Sequence, residues 1–136
     1  MEKIIAIDFG LKRTGIAYSD DFIPIAHPLK TVPTQLLWDF LNKFFSENTV
    51  KTVVLGFPKK LDGSSTDSTP HVMGFKRKLK REFPEKNIVM LDERFTSKIA
   101  KQSLILSGVS KKKKREKGII DEIAAVILLQ DYLSTM

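Results

Sequence analysis

Apolar positions along the chain fall into two rhythms. Ile4-Ile5-Ala6-Ile7 is an unbroken apolar run ending at Asp8, and it predicts a strand over residues 3–9 covered on both faces. A second strand is expected over 14–19, after a connection short enough for a hairpin. Ile23, Ile25, Leu29 and Val32 then alternate with Pro24, Pro28 and Pro33. Proline cannot donate to a ladder, so this segment is expected at a sheet edge. The rhythm changes at Leu37, Phe40, Leu41, Phe44 and Phe45, whose three- and four-residue spacing predicts a helix from an N-cap at Thr34 to about Glu47. Val50 to Phe57 returns to a strand, closed by Pro58. Residues 58–69 read as a loop, rich in Gly, Ser, Thr, Lys and Asp. A helix follows over about 69–83, with Pro70 at its first position. Asn87 to Leu91 is a short strand that runs into Asp92-Glu93-Arg94-Phe95-Thr96-Ser97. Thr96 or Ser97 caps a helix to about Leu106, ended by Gly108, and a last helix is expected over 119–133.

Three strands come first, and helices then alternate with strands. This order predicts an α/β architecture, a mixed central sheet with helices on both faces. In such sheets ligands gather beyond the carboxyl ends of the strands. The 136 residues suit one domain, 1–136, with one sizeable core.

Composition narrows the chemistry. There is no cysteine, hence no disulfide, thiolate nucleophile or thiolate zinc site. His27 and His71 are the only histidines, which excludes a histidine-rich zinc cluster. No apolar run approaches the ~20 residues that cross a bilayer, and the first run is too short for a signal peptide. A cytoplasmic protein without membrane contact is the expectation. The net charge of +7 is unevenly spread. Residues 111–117 hold six bases and one acid, and Lys76, Arg77, Lys78, Lys80 and Arg81 form a second cluster. Clustered bases suit a polyanion such as nucleic acid, although solvated lysine faces are also common.

Three acids share one kind of location. Asp8 ends the first strand, and Gly10 behind it allows close backbone approach. Glu93 lies just past a later strand, and Asp121 is expected in the first turn of the last helix. Singly, each has a plain explanation: a salt bridge from Asp8 to Lys12 or Arg13, a pair between Glu93 and Arg94, a helix-dipole contact for Asp121. If the strands bearing Asp8 and Glu93 are parallel neighbours, both carboxylates emerge at one sheet edge, where the last helix can bring Asp121. Three carboxylates so placed repel unless a cation lies between them. Carboxylates and water are the ligands of Mg²⁺ and Mn²⁺, and two such ions about 3.5–4 Å apart can hydrolyse a phosphodiester.

The chain resembles the YqgF family, also called RuvX. These are bacterial ribonuclease H-like proteins assigned to pre-16S rRNA cleavage and, earlier, to Holliday junction resolution. The matching residues are Ala6-Ile7-Asp8-Phe9-Gly10 with Lys12-Arg13 and Gly15 to Asp20, then Val54-Leu55-Gly56-Phe57-Pro58 with Asp62-Gly63-Ser64. Leu91 to Ser97 and Ile120-Asp121-Glu122-Ile123-Ala124-Ala125, leading to Leu133, complete the match. It spans nearly the whole chain. Lys59-Lys60 after Pro58, and Ser97 in place of a second threonine, depart from the family pattern without touching the acids.

The resemblance implies a ribonuclease H-like fold and puts the family's acidic triad, catalytic and metal-binding, on Asp8, Glu93 and Asp121. It implies phosphate contacts from Lys12 and Arg13, with Arg94 binding phosphate or orienting Glu93. The basic residues Lys111, Lys112, Lys113, Lys114 and Arg115 are expected to contact substrate, and residues 76–81 to add salt-sensitive backbone contacts. The expected activity is Mg²⁺- or Mn²⁺-dependent phosphodiester hydrolysis by a monomer or homodimer, with pre-rRNA favoured and branched DNA second. A non-catalytic RNA-binding assembly factor is a rival that needs the bases but not the acids. An actin- or Hsp70-like ATPase is a weaker one: Asp8-Phe9-Gly10 followed by Thr14-Gly15 resembles a phosphate-binding turn, but such proteins need two such domains and a second glycine-rich turn, for which 136 residues are not expected to have room.

Overall fold

The computed structural model describes residues 2–20, 25–57, 69–92 and 117–135, with the backbone path alone at 57, 69, 92 and 117–122. Five strands form one sheet: β1 (Lys3–Asp8), β2 (Arg13–Asp20), β3 (His27–Pro33), β4 (Val50–Phe57) and β5 (Asn87–Asp92). Their order is β3-β2-β1-β4-β5. The first three pair antiparallel, and β4 and β5 join β1 in parallel. The sheet is mixed, as the strand-first order predicts, and the proline-bearing β3 takes an edge, where its missing donors cost no ladder bond. Three α-helices are described: α1 (Leu37–Glu47), α2 (Thr69–Glu82) and α3 (Lys117–Ser134). The helix expected after Ser97 lies outside the described residues.

Alternation along β1 divides the core. Ile5 and Ile7 join Ile16, Val53 and Leu55 in a layer closed by Leu37 and Leu41 of α1 and Val72 and Leu79 of α2. Ile4 and Ala6 join Ala17 and Val54 in a second layer, closed by Ala125, Leu128, Leu129 and Leu133 of α3. Both parities of β1 are buried, which explains its continuous apolar run. Aromatic rings fill the first layer. Trp38 and Phe75 meet edge to face at 6.1 Å, as do Phe45 and Phe83 at 4.9 Å.

Two local expectations are corrected. Thr34 does not cap α1 with its side chain. It opens a 3-10 turn, Thr34–Leu36, and α1 begins only at Leu37. The Thr34 hydroxyl is engaged instead with a distant loop. The last helix starts at Lys117 rather than 119, so its first turn holds no acid and Asp121 falls beyond it. The helix-dipole explanation of Asp121 weakens accordingly, because that effect fades within one turn.

Candidate active site

Asp8 is the last residue of β1, the central strand, and it is half-buried. It follows Ile4 and Ala6 at every second position, so it stands on the sheet face that α3 covers. Its register partner on β2 is Gly15. On the other side Ile7 pairs with Leu55, so the next residue of β4, Gly56, stands at the level of Asp8. Residues directly opposite in a sheet share a face. The carboxylate therefore has a glycine on each neighbouring strand, where a side chain would crowd it. Strand glycines otherwise cost stability, and they mark places where another group comes close to the backbone.

The loop after Asp8 is tied down. The Thr34 hydroxyl donates to the Gly10 carbonyl at 2.6 Å, and the Thr34 amide donates to the Lys12 carbonyl at 2.9 Å. The Thr14 and Thr34 hydroxyl oxygens lie 3.0 Å apart. The single Thr34 proton is already directed at Gly10, so Thr14 is the donor of that pair. Gly10 has its own reason to be glycine: a Cβ there would sit 2.2 Å from the Arg13 carbonyl oxygen. The turn closes too tightly on itself for any side chain. Neither Thr34 nor Thr14 stands out in the sequence as a site residue. Their contact spans 20 residues of chain and has no local signature.

Lys12 and Arg13 flank this edge. Lys12 is exposed in the loop, and Arg13 is half-buried at the start of β2. By alternation with Gly15 and Ala17, Arg13 stands on the Asp8 side of the sheet. The segment of α3 around Asp121 reaches the same edge. Gln130 accepts a hydrogen bond from the Ala26 amide at 3.1 Å, beside His27, which pairs with Tyr18, itself opposite Ile5. This anchors the later part of α3 near the start of β1. Because Ala124 and Ala125 are buried with Ala6 and Val54, the helix runs back across the sheet toward the carboxyl end of β1. Nine residues of helix cover about 13–14 Å, and the three strand residues from Ile5 to Asp8 cover about 10 Å. The early turns of α3 thus extend to the level of Asp8. β5 ends at Asp92 on that edge too, in register with Phe57 of parallel β4.

Asp8, Lys12, Arg13 and the Asp121 segment of α3 are therefore gathered at one edge. Glu93, Arg94, Lys111, Lys112, Lys113, Lys114 and Arg115 lie outside the described residues. The 76–81 cluster is on α2, which packs on the other face of the sheet from Asp8. A hollow of about 460 Å³ lined by Glu2, Phe45, Asn48, Val50, Lys51 and Lys86 opens at the opposite end of the sheet, where β1 and β4 begin. It holds none of the predicted site residues.

An antiparallel three-strand start, two parallel strands beside it and an acid at the end of the central strand define a ribonuclease H-like fold. Two solved structures share it. A fowlpox virus resolvase, determined with Holliday junction DNA, superposes with a TM-score of 0.57 at 12% identity, covering 98% of this chain and 97% of that one. Thermus thermophilus RuvC, determined with a Holliday junction substrate, gives 0.54 at 15% identity, covering 99% and 95%. The chain belongs to the RuvX family, described as Holliday junction resolvase, whose profile matches residues 2–135. Relatives named "Putative pre-16S rRNA nuclease" are found in Flavobacterium johnsoniae (46% identical, 99% of this chain and 98% of that protein) and Bacteroides fragilis (40%, 99% and 98%). Another, in Christiangramia forsetii, is 44% identical over 98% of each chain.

Proposed function

We propose that this chain is a nuclease that hydrolyses phosphodiester bonds in nucleic acid, and that its substrate is the 5′ extension of pre-16S rRNA. The observation that carries the reading is the placement of Asp8. It is a half-buried carboxylate at the end of the central strand, flanked by glycine positions and facing the layer under α3. The names of relatives at 40–46% identity support the RNA substrate. The family description as a Holliday junction resolvase supports branched DNA as the second reading. The working unit is one domain spanning residues 1–136, acting in the cytoplasm as a monomer or homodimer. Among the described residues, no helix is long and apolar enough to cross a membrane.

The catalytic set is Asp8, Glu93 and Asp121. Hard carboxylate oxygens suit Mg²⁺ or Mn²⁺, and a half-buried carboxylate is favoured in its charged form by a cation beside it. When bound, the divalent cation supplies Lewis acidity toward the phosphodiester and makes water a better nucleophile at neutral pH. The chain's own residues do the rest. Asp8 presents its carboxylate from a fixed strand end. The buried glycines at 15 and 56 keep the two strand positions beside the Asp8 carboxylate free of side chains. Arg13, with its planar fork, and Lys12 stabilise charge on the phosphate oxygens. Arg94 and the 111–115 bases extend the contact along the substrate.

The test compares wild type with Asp8→Asn on a 5′-extended 16S precursor RNA and on a four-way DNA junction, in Mg²⁺, Mn²⁺ or EDTA. The amide keeps size and loses charge. Cleavage is expected to fall on the order of 10³-fold or more, the loss of several kcal/mol of transition-state stabilisation. EDTA is expected to abolish it. Full activity in Asp8→Asn refutes the site. Binding without cutting by folded wild type refutes the enzyme reading in favour of an RNA-binding factor.

A further inference from the structure

α2 carries a stripe of positive charge on the wrong side of the molecule for the cutting site. Val72 and Leu79 are fully buried in the layer against Ile5 and Ile7, and Phe75 and Phe83 pack beside them. Arg77, Lys80 and Arg81 stand on the opposite, exposed side of the helix. Their spacing of three and four residues makes them one row of neighbours. Lys76, half-buried, lies four residues before Lys80. Asp8 stands on the other face of the sheet, under α3. A phosphate at Asp8 is therefore not the phosphate that this row would hold.

The row is poorly explained as a structural device. Lys80 and Arg81 fall in the last turn, where a cation is favoured by the helix dipole, but Lys76 and Arg77 do not. Like charges three and four apart disfavour the helix. Among the described residues Lys76, Arg77 and Lys80 have no carboxylate partner. Arg81 meets Glu82 at 3.5 Å, with side chains 70% and 50% exposed, a pair that water and salt readily exchange. Lys78 differs from the others. Its ammonium lies 4.1 Å from the Trp38 ring centroid, so it is committed to packing. Phe75 faces inward, against Phe9 and Trp38, and the other ring of α2, His71, is exposed in the first turn, six residues before Arg77. The row supplies charge without an aromatic stacking platform, which suits the regular phosphate backbone of a double helix more than unpaired bases.

We propose that the Arg77–Lys80–Arg81 row is a second contact, which holds the phosphate backbone of a double-helical arm of the RNA substrate on the far face of the sheet from the bond that is cut. The proposal rests on the nuclease reading and adds substrate architecture to it: a structured RNA reaches both faces, and a short single strand reaches one. The test uses two RNAs with the same cleavage site, one a short single strand and one carrying a duplex arm. Wild type is compared with the triple variants Arg77→Glu/Lys80→Glu/Arg81→Glu and Arg77→Gln/Lys80→Gln/Arg81→Gln, the second guarding against misfolding. For the armed RNA, kcat/KM is expected to drop tenfold or more. The slope of log affinity against log salt, measured in an Asp8→Asn background, should become shallower by about 2–3, close to one unit for each phosphate that the row no longer neutralises. For the short RNA kcat/KM should change less than twofold and the slope by less than about 0.5. Equal losses on both RNAs, or none on either, overturn the proposal and leave the row a solvated face. Failure of wild type to bind or cut either RNA overturns the nuclease reading, and this proposal with it.

Discussion

Replacing Thr34 with valine removes one hydroxyl and almost no volume, yet that hydroxyl joins three segments. It donates to the Gly10 carbonyl at 2.6 Å and accepts from Thr14 at 3.0 Å. Each such bond contributes about 1 kcal/mol net, and a buried donor left without a partner costs about 1–3 kcal/mol. Thr14 is 0% exposed, so water does not replace its lost acceptor, whereas half-buried Gly10 retains some access to solvent. Thr34→Val is expected to cost about 2–3 kcal/mol in urea unfolding, with a fall in Tm of about 10 °C for a chain of this size. Removing both hydroxyls should be milder than the sum of the two single changes. Thr14→Val/Thr34→Val leaves no orphaned donor and puts a β-branched apolar residue into a strand. A double-mutant cycle should return a coupling of about 1–2 kcal/mol. The same change loosens the loop after Asp8, which keeps the Thr34 amide bond to the Lys12 carbonyl but loses the tie at Gly10. Cleavage measured where both proteins remain folded should fall by tenfold to about 10²-fold, the scale of a displacement near 1 Å at a reacting group. Additive single changes, or a Thr34→Val protein within about 0.5 kcal/mol of wild type, would show that the relay from Thr14 through Thr34 to Gly10 does not operate.

Three further expectations follow from the same geometry. Gly15→Ala places a methyl directly across from Asp8, on its face of the sheet. It should lower kcat/KM tenfold or more under conditions where the protein stays folded, and unchanged cleavage would show that Asp8 tolerates a side chain directly across from it. Gly10→Ala drives a Cβ into the Arg13 carbonyl oxygen, so the turn must open. It should lower both Tm and cleavage, and a protein unchanged in both would show that the turn is not as tight as described. Leu129→Ala empties part of the layer under α3, where Leu129 is 0% exposed, and should cost about 2–5 kcal/mol in urea unfolding.

Much of this fold is written in the local pattern of the chain. Residues 4–7 are apolar on both parities because they form the middle of a sheet covered twice. Prolines at 28 and 33 mark an edge strand because an edge tolerates missing donors. The spacing of Leu37, Phe40, Leu41, Phe44 and Phe45 marks α1, and its end at Glu47 follows from the same rhythm. The candidate chemistry was legible in part for the same reason. A carboxylate ending a strand of that kind needs a partner, and the Asp8-Phe9-Gly10 and Lys12-Arg13 pattern resembles one family over the full chain. Membership of the RuvX family agrees with that resemblance.

Other features depend on contacts between residues far apart in the chain. Thr34 has the local signature of a helix cap, and no local rule reveals that its hydroxyl belongs to a loop 24 residues earlier. Side-chain hydrogen bonds go where geometry offers an acceptor, and here the sheet brings the Gly10 carbonyl within 2.6 Å of the Thr34 hydroxyl. The glycines at 15 and 56 look like isolated strand defects until the register puts one on each side of Asp8. The two basic clusters look alike as charge runs, yet layering assigns the 76–81 cluster to the face opposite Asp8. Period and propensity are properties of neighbours in sequence, so the chain by itself determines its strands, its helices and the acid that ends the central strand. Which face a residue shares, and with whom, is fixed by strand register and helix packing, and only the tertiary structure decides it.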